Sequence, residues 1–176
     1  MTRVCRIISG GQTGVDQAAL RAARDAGLRI GGWCPPGRAC DDGVIPAEFP
    51  LLETPADRSP DAPDVPRSWR TQWNVRDADA TLILTPAPLA EDPGTAWTRA
   101  CAERAGKPLL VCNTTDPAAA AIIAEWIDRN EIETLNVAGP SEHTAPRVGG
   151  RTYTLMTRVL RGTDSTPPAP PARPAP

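Results

Sequence analysis

Apolar residues recur along this chain in two alternating patterns. Short runs rich in β-branched and aliphatic residues occur at Val4 with Ile7 and Ile8, at Leu28-Arg29-Ile30, at 80–85 (ATLILT), at 109–112 (LLVC) and at 134–138 (TLNVA). Each has the length and character of a strand buried in a parallel sheet. Between them apolar positions return at helical spacing. Val15, Ala18, Ala19, Ala22, Ala23 and Ala26 form one stripe, and Ile122, Ile123, Trp126 and Ile127 form another. Trp69 and Trp73 stand four apart in a third helix, where they are expected to pack, and Gly94-Thr95 opens a helix through Ala105. A last amphipathic helix ends near Leu160. Five strands alternating with helices predict an α/β, Rossmann-like fold: a doubly wound parallel sheet with helices on both faces.

Punctuation fits these boundaries. Gly27 is placed to end the first helix, Gly106 the one before strand four, and Asp116-Pro117 reads as an N-cap followed by proline. Residues 41–66 are polar and proline-rich around one apolar patch, Phe49-Pro50-Leu51-Leu52, and a stretch of that length predicts a functional lid or disorder. A loop punctuated by Pro86, Pro88 and Pro93 follows strand three. From residue 163 the chain has no apolar period, and six prolines fall between Pro167 and Pro176. One domain over 1–162 followed by a disordered, PPII-like tail over 163–176 is expected.

The strongest chemical signal is Ser9-Gly10-Gly11-Gln12-Thr13-Gly14-Val15-Asp16-Gln17, which joins the first strand to the first helix. Glycines there permit close approach of a ligand, and the N–H groups of a helix's first turn, with its dipole, favour an anion. A capping box of Thr13 and Asp16 is the plainer explanation of the same residues. No lysine stands where a P-loop needs one, and 30–33 (IGGW) offers no acid for a ribose, so neither NTP hydrolysis nor nicotinamide chemistry is indicated. Arg38, Arg70, Thr71, Asn74, Thr95 and Thr98 belong to the same sheet edge or to faces near it, and Gly139-Pro140-Ser141 leaves the last strand there. Ligands of such sheets bind outside the carboxyl ends of the strands.

The chain has 176 residues, 40% hydrophobic and 4% aromatic, with a formal net charge of −2. That balance carries no footprint for nucleic acid or an anionic membrane, and no apolar run approaches a membrane span. A cytoplasmic protein is expected, with its five cysteines reduced. Cys34 and Cys40, with His143, fall short of a structural metal set.

Taken together, 10–17 (GGQTGVDQ), 34–38 (CPPGR), Asp42-Gly43 with Ile45-Pro46 and Pro50-Leu51, and Arg70-Thr71 with Asn74-Val75 resemble the molybdenum carrier family. So do Asp77, Asp79-Ala80-Thr81, Gly94-Thr95 with Thr98, and 136–140 (NVAGP). The match runs in order from about Val4 to Leu160. That family lies in the SLOG group of Rossmann-like proteins, with the LONELY GUY phosphoribohydrolases among its relatives. The resemblance implies a carrier of molybdenum cofactor (molybdopterin), acting as a homo-oligomer and serving a molybdoenzyme or a cofactor-synthesis partner. It places the ligand against Gly10, Gly11, Gln12, Thr13, Gly14, Asp16, Arg38, Arg70, Thr71, Asn74, Gly94, Thr95, Thr98, Gly139 and Ser141, and marks phosphate binding.

Two departures matter. The phosphoribohydrolases carry Pro-Gly-Gly-x-Gly-Thr-x-x-Glu, and Thr98 stands at the position of that glutamate. An N-glycosidic hydrolase on nucleotides, using Asp16 or Asp42 instead, is the enzymatic alternative, and a nucleotide-sensing module is a third. The second departure is 141–143 (SEH), where an arginine is expected.

Overall fold

The computed structural model describes residues 4–86 and 93–161. Its centre is a sheet of five parallel strands, β1 (Arg6–Ile8), β2 (Arg29–Gly31), β3 (Ala80–Thr85), β4 (Leu109–Asn113) and β5 (Thr134–Ala138). Their spatial order is β2-β1-β5-β3-β4. β5 returns to the middle and sits between β1 and β3, with Ile8 beside Asn136 and Leu82 beside Val137. The chain leaves β1 toward one edge and β3 toward the other. A crevice therefore opens where these connections diverge, above the carboxyl ends of β1, β5 and β3.

Five helices cover the sheet: α1 (Val15–Asp25), α2 (Ser68–Asp77), α3 (Pro93–Arg104), α4 (Ala119–Arg129) and α5 (Val148–Leu160). α5 packs against both α1 and α4 on one face, and α2 packs on α3 on the other. The alanine stripe explains the tightest contact. Ala18, Ala19, Ala22 and Ala23 are all buried, and their small side chains let α1 lie close to α5. The main core joins Ile7, Val15, Leu82, Leu84, Ile123, Ile127, Leu135, Val137, Val148 and Met156 across the layers. Each aliphatic side chain fully buried there contributes roughly 1.5–3 kcal/mol.

Residues 41–66, expected as a lid or a disordered stretch, are instead ordered and pinned. Two-residue strands pair Trp33–Cys34 with Leu52–Glu53 and Ala39–Cys40 with Gly43–Val44. Ile45, Phe49 and Leu51 join Leu20, Cys34 and Cys40 in a second apolar cluster. Both cysteines are thus packing residues of that cluster. α4 also begins later than its sequence suggests: Asp116 Oδ1 accepts from the Ala118 N–H at 2.8 Å within a turn, and the helix starts at Ala119. The proline-punctuated loop at 87–92 and the tail from 163 lie outside the described residues. Among the described residues, no helix is long and apolar enough to cross a membrane.

Candidate functional site: an arginine-lined cavity above β5

A cavity of about 320 Å³ opens above the carboxyl ends of β5 and β3. Nine of the fifteen residues expected at the ligand line it: Gln12, Asp16, Arg70, Thr71, Gly94, Thr95, Thr98, Gly139 and Ser141. Its size is at the lower end of the roughly 300–1,000 Å³ usual for small-molecule sites.

Two carboxylate–arginine pairs build its walls. Arg70, on α2, donates from Nη1 to Asp16 Oδ2 at 3.0 Å, and Asp16 is only 1% exposed. Burial pushes the Asp16 carboxyl up, against the opposing pull of the Arg70 guanidinium and the Gln12 N–H. The second pair is Arg67 with Asp41, 3.0 Å apart and half-buried. Burial also raises the Asp41 carboxyl, but the Ser141 hydroxyl and the Arg67 guanidinium outweigh it, and its net shift is downward. Gln12 ties the two halves together. Its Oε1 accepts from the Asp41 N–H and its Nε2 donates to Asp41 Oδ1, at 2.9 and 3.0 Å.

In the glycine-rich turn that leads into α1, three N–H groups are already bonded within the protein. The Gln12 N–H donates to Asp16 Oδ2, the Thr13 N–H to Gln12 Oε1, and the Val15 N–H to the Pro140 carbonyl. Asp16 reaches back along the turn as a capping carboxylate would, but to Gln12, and Thr13 Oγ1 makes no reciprocal bond. The Asp16 carboxylate thus lies against the turn that leads into α1, while the Val15 and Gln17 N–H groups go to the carbonyls of Pro140 and Gln12. Side chains of Arg67, Arg70, Thr71, Ser141 and Thr144, together with the start of α3 at Gly94-Thr95, line the cavity.

Six expected residues fall outside the cavity. Gly10 lies under the Arg70 side chain, and Gly11 under Leu51 and Ile45. Gly14 takes φ +83° where residues 140–142 cross it closely. Thr13 is buried in the turn. Arg38 turns away altogether: its guanidinium donates to the carbonyls of Ile45, Pro46, Phe49 and Leu51 and fastens the excursion. Asn74 clasps the Trp33 backbone, accepting its N–H and donating to its carbonyl, both at 2.9 Å. In this structure the side chains of Arg38 and Asn74 bond backbone groups and lie outside the cavity lining. Asp42 is not among the residues lining the cavity, and its neighbour Asp41 is.

Sequence reasoning did not single out Arg67, Asp41 or Thr144, which line the site as well. Arg67 precedes α2 in the left-handed region, φ 58°, and nothing in a Pro-Arg-Ser stretch announces that turn. No arginine stands at 141–143 after Gly139-Pro140, and Glu142 there serves the fold. The Glu142 carboxylate accepts the N–H groups of Arg147 and Gly149 and caps α5, so this helix terminus carries an internal anion. Thr98 Oγ1 donates back to the Gly94 carbonyl at 2.9 Å, within its own helix.

Residues 7–160 match the circularly permutated YpsA SLOG family. The structure is similar to the crystal structure of the "Putative molybdenum carrier protein" of Syntrophus aciditrophicus SB, with a TM-score of 0.80 and 35% sequence identity. The alignment covers 90% of this chain and 96% of that one. We find no match among curated proteins. The agreement of both comparisons over nearly the whole folded region shows that this chain belongs to the circularly permutated YpsA SLOG family.

Proposed function

We propose that this chain is a binding or carrier protein for a small, anionic, phosphorylated ligand, with molybdenum cofactor as its cargo. The observation that carries the reading is the convergence of Arg67, Arg70 and the Gly94-Thr95 start of α3 on one cavity that also presents Thr71, Ser141 and Thr144. Guanidinium groups and hydroxyls bind phosphate oxygens by charge-assisted bonds. The name of the similar Syntrophus protein supports molybdenum-related cargo. Thr98 supports a binder over an N-glycosidic hydrolase: its hydroxyl is turned into α3, and a hydroxyl is no general acid near neutral pH. A homo-oligomer that hands its cargo to a molybdoenzyme in the cytoplasm is the setting this reading implies.

Metal analysis and mass spectrometry of freshly purified protein test the cargo. A pterin phosphate with molybdenum is the expected finding. Calorimetric titration with inorganic phosphate tests the site. Arg67→Ala should weaken binding by about tenfold, a loss of about 1.4 kcal/mol. Phosphate affinity unchanged in Arg67→Ala and in Thr95→Val, with both proteins folded, would place the anion elsewhere.

A further inference from the structure

Between Glu142 and Asp164 the chain carries no acid, yet Arg147, Arg151, Arg158 and Arg161 all fall in that span, although the whole chain is net negative at −2. Their spacing returns them to one side of α5. At about 3.6 residues per turn the four lie within an arc of roughly 80°, in a stripe about 21 Å long. Thr154 fills the gap between Arg151 and Arg158, and all five residues are exposed. The stripe runs the full length of α5, from the residue before its start to the residue after its end. Among the described residues none of these arginines forms an ion pair, whereas Arg24, Arg58, Arg76, Arg104 and Arg129 on other surfaces do. Glu142 is spent on the N–H groups of Arg147 and Gly149. Asp116 lines a cleft of about 280 Å³ with Arg151, Thr154 and Arg158, and its Oδ1 accepts the Ala118 N–H.

We propose that the outer face of α5 is a docking surface for an acidic segment of a partner protein, whose carboxylates pair with these four arginines. A helix face that serves only solvation mixes its charges, as Glu125 and Arg129 do on α4. Here like charges stand three and four residues apart, which destabilises a helix. Arg147 and Arg151 also stand at the N-terminal end of α5, where the helix dipole disfavours cations. An acidic partner reverses both effects, and guanidinium groups take carboxylates in two-pronged pairs. The positive surface is one helix wide. α1 and α4, which pack on either side of α5, carry mixed charges: Arg24 holds Asp25 and Glu48, and Arg129 holds Glu125. A single helix or extended segment matches that width better than a DNA duplex or an anionic bilayer, and the stripe offers no apolar side chain to a membrane. It starts three positions after Thr144, which lines the cavity, so the partner docks beside the cavity rim. The inference rests on the charges of α5 and not on what the cavity holds.

The test uses the full chain and a fluorescein-labelled oligo-glutamate of about twenty residues, long enough to lie along α5, read by fluorescence anisotropy in low salt. The unaltered protein should bind it, and about 0.3 M salt should weaken binding by about fivefold or more. Arg151→Gln combined with Arg158→Gln should cost about fivefold in low salt, two exposed charge pairs being lost. Thermal melts should stay unchanged, because both side chains are exposed. Arg58→Gln combined with Arg104→Gln removes the same charge from exposed positions outside α5 and should bind as the parent does. No binding by the unaltered protein overturns the proposal, and this measurement needs no variant. An equal loss in both double variants overturns it as well, since net charge alone then explains the binding. Duplex DNA or phosphatidylserine vesicles that bind more tightly than oligo-glutamate, and are released by the α5 double variant, overturn it in favour of that polyanion. A dimer in sedimentation velocity that the α5 double variant dissociates overturns it in favour of a second copy of this chain.

Discussion

Arg70 crosses directly over Gly10: a Cβ built on Gly10 would stand 1.8 Å from Arg70 Nη1 and 2.4 Å from its Cζ. The first glycine of the turn therefore makes room for an arginine 60 positions later, and through it for the ion pair with Asp16. Gly10→Ala should push the guanidinium away from Asp16 and strand a buried carboxylate. Breaking a buried pair costs about 3–5 kcal/mol, and partial relaxation of the arginine lowers that figure. We expect a clear loss of denaturant midpoint together with about tenfold weaker phosphate binding. An Ala variant as stable and as tight as the parent would show that Arg70 has an equally good alternative path.

Gly11 behaves differently from its neighbour. Its φ is +78°, and an added Cβ would lie 2.5 Å from Leu51 Cδ1 and 2.8 Å from Ile45 Cδ1. Gly11→Val therefore strikes the second apolar cluster and not a ligand. Overpacking together with a left-handed β-branched residue should cost about 2–5 kcal/mol. The thermal melt should fall before any binding effect is measurable. A variant of native stability with selectively lost binding would restore Gly11 to the site.

Arg38 is a staple. Its guanidinium contacts four carbonyls between Ile45 and Leu51, at 2.8–3.4 Å. Arg38→Ala should free that segment and make it the first site of cleavage in limited proteolysis. Affinity for phosphate should change far less than in Arg67→Ala. Direct loss of binding with an intact protease pattern would return Arg38 to the ligand.

Cys101 supplies a pH dependence. Burial pushes its thiol up to about 11 from 9.0, with the Arg104 guanidinium opposing weakly. A folded value above the unfolded one means stability is fully present below pH 9 and is lost as pH rises toward 11. The two-unit gap corresponds to roughly 2–3 kcal/mol. Denaturant midpoints measured from pH 8 to 11 should fall, and Cys101→Ala should flatten that part of the decline. An identical profile in the variant assigns the loss to other groups.

The local pattern carried most of the architecture. Strand and helix periodicity depend on neighbours within one or two turns, so the five strands, α1 and its alanine stripe, the paired tryptophans of α2 and the Gly94-Thr95 helix start were all legible as written. Trp69 and Trp73 do meet, with ring centroids 5.7 Å apart. The glycine turn, the carboxyl edge of the sheet and the resemblance also brought most of the cavity's residues onto one short roster. Which polar groups remain available there was decided only in three dimensions. Hydrogen-bond partners are chosen by proximity across the fold: the N–H groups of Gln12, Thr13 and Val15 go to Asp16, Gln12 and Pro140, Arg38 to a loop that buries Phe49, and Asn74 to Trp33, 41 positions away. Arginine, asparagine and glycine look the same in a sequence whether they face a ligand or a carbonyl. Arg67 and Asp41 became site residues because an ordered excursion brings Asp41 to Gln12 and a left-handed turn brings Arg67 to Asp41, and neither event leaves a periodic trace in the chain.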